Sequence, residues 1–369
     1  MSKTIVRFNN RNNAEFIAAL RNNVNQYFKE NNISKFGNWN MYLKTTLMVS
    51  LYFIPLIAMI SGLITSTPVM YVMWFIMSLG MAGIGLSVMH DANHGSYSQN
   101  KNVNNFFGWI VNFLGAYHIN WKVQHNVLHH SFTNIEGHDE DITKPVMRFS
   151  PEQPYKKVFK YQAYYAPIFY GLLTIYWLIA KDIDQVLRYG KRNLLKGQNR
   201  TTRGAFIEIV GYKLVYIALT IVLPLLVLDI HWAHVILGFL MMQFLSGLIL
   251  ALIFQAAHVL EETNFYTPDE NGGSMENNWA IHQLMTTSNF STKNKVFTWL
   301  VGGLNHQVEH HLFPFICHVH YPKISKIVEK TATEHGIPYL QHATFIGALK
   351  SHFTLLNNLG KKEVVAVAF

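Results

Sequence analysis

Four long apolar runs punctuate the chain, at residues 45–64, 69–89, 209–228 and 235–257. About 20 apolar residues in a helix cross roughly 30 Å of hydrocarbon, so each run is long enough to span a bilayer. The first two are separated by a loop centred on Ser66, Thr67 and Pro68, and the last two by "DIHWAH" at 229–234. Loops that short join neighbours, and the pattern predicts two helical hairpins. Two further stretches, 106–119 and 163–180, are too short or too rich in Tyr and Trp for a clean span and read as interfacial helices. Phe16, Ile17, Leu20, Val24, Tyr27 and Phe28 recur at helical spacing. They predict an amphipathic helix that lies either on the bilayer or against the rest of the protein.

Composition supports a membrane protein: half of the residues are hydrophobic and 14% are charged, against about 25% charged in soluble domains. The formal charge of +9 raises the question of nucleic acid, which the placement of the basic residues answers. Seven Lys and Arg lie at or before Lys44, fourteen between Lys101 and Arg203, and eight from Lys293 onward, whereas both hairpin loops have none. By the positive-inside rule the termini and the long middle segment face the cytoplasm. The charge then serves orientation and the lipid surface, and no nucleic-acid partner is expected. Lys213, near the start of the third run, stands apart from this pattern. Cys317 is the sole cysteine, which excludes an internal disulfide. The polar, Asn-rich start has no short apolar segment of the signal-peptide kind.

There are nineteen histidines, and nine of them gather where the runs end on the cytoplasmic side. His90 and His94 follow the second run, and His258 closes the fourth. His125, His129 and His130 lie in "KVQHNVLHHSF", and His306, His310 and His311 in "LNHQVEHHLFP". On a helix, residues four apart share a face with Cβ atoms about 5–6 Å apart, so each H-x3-H spacing aims paired imidazoles at one point. Eight or nine imidazoles exceed the needs of one ion, and no cysteine cluster accompanies them, which implies two transition-metal ions. Imidazole suits Zn, Cu, Fe and Ni, and the ligands alone do not choose among them. His231, His234, His335, His342 and His352 read as ordinary surface polarity. His118, His138, His282, His318 and His320 are candidates for supporting the ligands or touching substrate. The expected fold is an all-α integral membrane protein, with four transmembrane helices in two hairpins, interfacial helices and a cytosolic helical cap carrying a di-metal histidine site.

At these residues the chain resembles the membrane fatty-acid desaturases, marked by three histidine boxes, here "HDANH", "HNVLHH" and "HQVEHH". The Gln307 form of the third box is similar to that of front-end acyl desaturases, and the likeness is strongest to bacterial linoleoyl-CoA desaturase-like proteins. It runs from about Met41 to Leu359 and takes in "GHDEDI", "QLMTTSNF" and "CHVHYPKIS". The resemblance implies a desaturase domain over 41–369, preceded by a cytosolic amphipathic segment, 1–40, without the haem motif of a fused cytochrome b5. It implies an oxidoreductase with a di-iron centre that uses O2 and two electrons to set a cis double bond in an acyl-CoA or acyl-lipid chain. Electrons then come from an external ferredoxin or cytochrome b5. His90, His94, His125, His129, His130, His258, His310 and His311 would be ligands, with His306 or Gln307 in the remaining place. The expected location is a bacterial inner membrane with the active site on the cytoplasmic side. An unactivated C–H bond offers nothing to acid–base chemistry, so a redox-active metal agrees with this reaction better than zinc. Related hydroxylases and ketolases share the iron chemistry. A metal transporter, the other class, calls for ionisable groups at the middles of the spans, which have none. Arg188, Lys191, Arg192 and Lys196 form a basic patch suited either to orientation or to an acidic carrier or phosphate.

Overall fold

A computed structural model describes residues 6–9, 11–268 and 273–362. The remainder of the expected 1–40 segment and of the 41–369 domain lies outside the described residues. The chain divides into two compact units, each built from separated stretches. One comprises Gly37–Val123 and Pro167–Ala251, the other Met1–Phe36, Gln124–Ala166 and Leu252–Phe369.

The first unit contains the apolar helices Trp39–Ile60, Thr67–Asn93, Thr202–Val227 and Trp232–His258, the last of which passes into the other unit at Leu252. All four expected spans are present, in two hairpins, with ends set by caps that hydropathy does not register. The first helix starts well before its apolar run because the Asn38 side chain accepts from the backbone N–H groups of Asn40 and Met41. It ends at Ile60 because Gly62, at φ 76°, turns the chain and lets Leu63 N–H reach the Ala58 carbonyl at 3.2 Å. The first two spans pack closely at Gly80, where an added Cβ would lie 2.5 Å from Tyr52 N. Several polar groups inside the bundle are paired there: Gln243 Nε2 donates to the Tyr216 hydroxyl at 2.6 Å, and Thr174 Oγ1 to the Gln243 carbonyl at 2.7 Å. Ile54, Ile57, Leu214, Leu226 and Leu237 are exposed on the spans. An apolar outer surface of that kind belongs in lipid, and the protein is a membrane protein.

The two shorter apolar stretches take different forms. The first becomes a helix, Lys101–Trp109, and a 3-10 turn, Ile110–Leu114, with Ile110, Val111 and Leu114 buried. The second falls within a pair of helical segments, Lys157–Gly171 and Leu173–Lys191, bent by 61°. Lys213 is accounted for in this unit. Its ammonium donates to the carbonyls of Gly115 and Trp177 and to Asp182 Oδ2, at 3.1, 2.6 and 2.8 Å.

In the other unit the N-terminal helix Ala14–Glu30 settles one open alternative. Phe16, Leu20, Val24 and Phe28 are buried against Leu284, Val308, Ile316, Ile324 and Val328, so its apolar face packs on protein and not on lipid. Among the described residues three two-residue strand pairs tie loops together here, one of them Asn289–Phe290 with Gln341–His342.

Candidate metal centre

The first histidine pair belongs to the membrane unit. The second span relaxes into a π-turn over Ile84–Val88 and resumes as a helix through Asn93. It thus extends beyond its apolar run and presents His90 and His94 one turn apart, with ring centroids separated by 4.8 Å. Trp121 packs edge-on against both rings, at 5.5 and 5.9 Å.

The second box departs from the expected α-helix. Val123–His129 is a π-helix, in which residues five apart face one another. His125 and His130 therefore meet, with Nε2 atoms 3.2 Å apart, while the His125 and His129 rings stack at 5.4 Å. The third box lies on the short helix Gln307–Leu312, which brings His310 Nε2 to 2.9 Å from His130 Nε2. The His130 and His311 rings stack at 4.3 Å.

A second grouping forms around the end of the fourth span. The rings of His129, His258 and His311 stand 4.7–5.0 Å from one another. Each is oriented through Nδ1 by an acceptor. Asp139 Oδ2 holds His129 at 3.0 Å, the Thr286 carbonyl holds His258 at 3.2 Å, and Gln283 Oε1 holds His311 at 2.7 Å. A proton fixed on Nδ1 leaves the Nε2 lone pair of a neutral ring for a metal. The Nε2 atoms of His129 and His258 are buried without a hydrogen-bond partner among the described residues.

The outer contacts were the part that spacing did not disclose. Asp139 also accepts from Asn134 N–H at 2.9 Å and Asp141 N–H at 2.8 Å. Burial works against a charged His129 ring, but the Asp139 carboxylate prevails and holds its pKa above the ordinary histidine value. The helix Trp279–Thr286 supplies the remaining support. Gln283 Nε2 and Trp279 Nε1 both donate to the His130 carbonyl, and His282 Nε2 donates to the Thr133 carbonyl at 2.7 Å. His282 thus braces the end of the segment that carries the second histidine box. The strings "GHDEDI" and "QLMTTSNF" contain Asp139, Gln283 and Thr286, but nothing in their spacing gives these roles.

The two alternatives, His306 and Gln307, lie in different surroundings. His306 caps the third-box helix, with its Nδ1 3.7 Å from Glu309 Oε2, and joins none of the ligand-distance groups among the described residues. Gln307 lies against the His258 ring, and its Oε1 is buried without a hydrogen-bond partner among those residues. Glu309, wholly buried, accepts from Asn289 Nδ2 and the Tyr339 hydroxyl, each at 2.9 Å, while Asn289 Oδ1 accepts from Val308 N–H. That clamp fixes the helix carrying His310 and His311.

Of the other histidines, His118 shares its Nδ1 with the Asn112 side chain, and His320 Nε2 donates to the Phe36 carbonyl. His352 corrects the expectation of a surface side chain. It is fully buried, and its Nδ1 donates to the Val259 carbonyl at 2.7 Å.

The donor set fits metal ions. Two nitrogens in adjacent positions at about 2.1 Å from one ion stand roughly 3 Å apart, matching the Nε2 separations of 2.9 and 3.2 Å at His130. His130 Nε2 offers one proton or one lone pair and so cannot satisfy both neighbours, whereas a cation can accept all three nitrogens. Ring nitrogens of His129, His258 and His311 lie within 4.8 Å of one another, as do those of His130, His310 and His311.

Comparison with known proteins gives a consistent result. The sequence profile of a family described as "Fatty acid desaturase" matches residues 66–343. The chain is 35% identical to the sn-1 linoleoyl-lipid 6-desaturase of Synechocystis over 347 residues, covering 94% of this chain and 96% of that protein. It is 34% identical to the acyl-lipid (8-3)-desaturase of Physcomitrium patens, covering 98% of this chain and 75% of the other. The sn-1 linoleoyl-lipid 6-desaturase of Arthrospira platensis is 32% identical, with 93% and 92% covered.

Proposed function

The chain belongs to the fatty acid desaturase family, and from that premise we propose that it is an O2-dependent di-iron enzyme of the front-end type, acting on an already unsaturated acyl chain. It is an oxidoreductase that desaturates fatty acyl chains. Its overall reaction removes two hydrogens from adjacent methylenes and, with two electrons and two protons from outside, converts dioxygen to two waters.

The observation that supports the iron centre is the set of histidines oriented from behind through Nδ1, above all His129, His258 and His311. Iron, once bound, supplies the oxidising power that no side chain has toward an unactivated C–H bond. The ligand assignment comprises His90, His94, His125, His129, His130, His258, His310 and His311. Gln307 is preferred to His306 for the remaining place because its amide oxygen lies beside His258. Asp139, Gln283 and the Thr286 carbonyl hold three rings in the tautomer that presents Nε2. Burial of these rings limits the access of water and protects the oxidant from side reactions.

The desaturase domain is assigned to 41–369, preceded by an amphipathic segment, 1–40, whose helix Ala14–Glu30 packs on Leu284, Val308 and Ile324. The distribution of the basic residues supports an active site and both termini on the cytoplasmic side, and a bacterial inner membrane suits that arrangement. Reduced ferredoxin or cytochrome b5 would supply the electrons, and an acyl-CoA or acyl-lipid the chain. Expression in a host fed linoleate, with mass spectrometry of double-bond positions, tests the reading. A new cis double bond on the carboxyl side of the existing ones is expected. Unchanged lipids in the presence of iron and a working electron donor would overturn it.

A further inference from the structure

The membrane unit contains a second polar feature that the histidines do not use. A recess of about 660 Å³ lies between the helix Lys101–Trp109, the short helix His118–Lys122 and the turn Lys196–Gln198 with Asn199 and Arg200 after it. Its size is within the roughly 300–1,000 Å³ usual for small-molecule sites. Three cationic side chains line it, Lys101, Lys122 and Arg200, and among the described residues no Asp or Glu does. Phe106, Trp109 and Ile119 form an apolar wall beside them.

The three cations are not equivalent. Arg200 Nε is paired with Glu208 at 3.0 Å. The pKa of Lys122 is lowered, first by burial and then by the charge of Lys101. Two ammonium groups thus repel one another across a shared space, an arrangement that an anion between them would stabilise. His118 contributes no further charge: burial, then Lys122 and Arg200, hold its pKa down to about 3. Orientation in the membrane requires basic residues at this end of the spans but does not require them to converge on a recess with an aromatic wall. Two ammonium groups lining one recess, Lys101 exposed and Lys122 half-buried, suit a small anion better than the flat face of a protein partner.

We propose that this recess binds the phosphate of the acyl carrier, with Lys101 and Lys122 gripping the anion and the Trp109 wall covering the apolar root of the molecule. The phosphate could be the phosphodiester of a glycerophospholipid or the pyrophosphate of coenzyme A, which share this chemistry. The assignment rests on the desaturase reading for its biological meaning, but binding is measurable without turnover.

The test is calorimetric titration of the full-length protein in detergent with three probes: inorganic phosphate, free coenzyme A, and a short-chain phosphatidylglycerol kept below its micelle concentration. The proteins compared are the wild type, the double variant K101Q/K122Q, and K323Q/K326Q, which removes the same net charge elsewhere. We expect K101Q/K122Q to weaken at least one organic phosphate by about tenfold and the control to leave it unchanged. The probe bound more tightly identifies the carrier. Equal losses in both double variants, or no loss in either, would overturn the proposal. So would a K101Q/K122Q effect confined to the KM for the reduced electron carrier, which would make the recess a protein-docking surface. If binding behaves as expected but the wild type makes no unsaturated product from any carrier, the desaturase reading fails and the phosphate site stands.

Discussion

A histidine becomes a dependable ligand through what lies behind it. Asp139 has its two carboxylate oxygens engaged by Asn134 N–H, Asp141 N–H and His129 Nδ1, so it cannot turn away from the ring. Partners of this kind typically contribute 10- to 100-fold in metal affinity. Asp139→Asn is therefore expected to lower iron retention by roughly that factor while the protein still folds in the membrane, as read by metal content after a controlled chelator wash. Full retention would show that the carboxylate is dispensable. The histidine clusters themselves are legible because such clusters are rare and their spacing is regular. Asp139, Gln283 and Thr286 are not, because a hydrogen bond between residues 10 or 28 positions apart leaves no periodic trace. His352 illustrates the same limit, since a lone histidine in a polar-looking stretch gives no sign of its burial.

At the scale of elements, the apolar runs gave the four helices and their pairing, because roughly 20 apolar residues admit few other structures. Their ends depended on caps at Asn38 and Gly62. The second box showed a deeper limit. The H-x3-HH spacing predicts pairing four apart on an α-helix, whereas the π-helix at Val123–His129 pairs His125 with His130, five apart. No sequence rule marks that change of winding. Lys213 was the basic residue that fitted no topological role, and the structure gives it one: it ties the third span to the Gly115 turn and to Asp182. Both side chains are largely buried. Removal of one partner of a buried pair typically costs about 3–5 kcal/mol, because the other charge is left uncompensated. Lys213→Met should lower the thermal midpoint clearly, and adding Asp182→Asn should recover part of the loss. Additive losses in the double variant would show that the pair is not coupled.

For the whole molecule, stability should depend on pH through buried neutral histidines. His282 and His352 are buried outside the spans, and burial lowers each pKa to about 4, below the unfolded value of about 6.5. The unfolded chain takes up these protons first, so the stabilisation is full above about pH 6.5 and is lost as the pH falls toward 4. Each site contributes on the order of 1–3 kcal/mol. Midpoints measured from pH 7.5 to 4.5 should fall more steeply for the wild type than for His352→Gln, and identical slopes would remove His352 from the account. The same scale shows where sequence reading was strongest. Apolar runs and basic residues predicted a membrane protein, which the spans and their apolar outer surface bear out. The amphipathic N-terminal segment remained open because lipid and protein present the same attraction to an apolar face, and only the burial of Phe16, Leu20, Val24 and Phe28 decides it.

The central claim is that these histidines hold two iron ions that desaturation requires. It is tested most directly by metal analysis of the purified protein alongside product formation in the same preparation, for the wild type and His258→Ala. The account predicts close to two irons per active wild-type chain, with iron and the unsaturated product lost together in the variant. An active wild-type enzyme with zinc or no metal, or a variant that keeps its activity after losing iron, would contradict it.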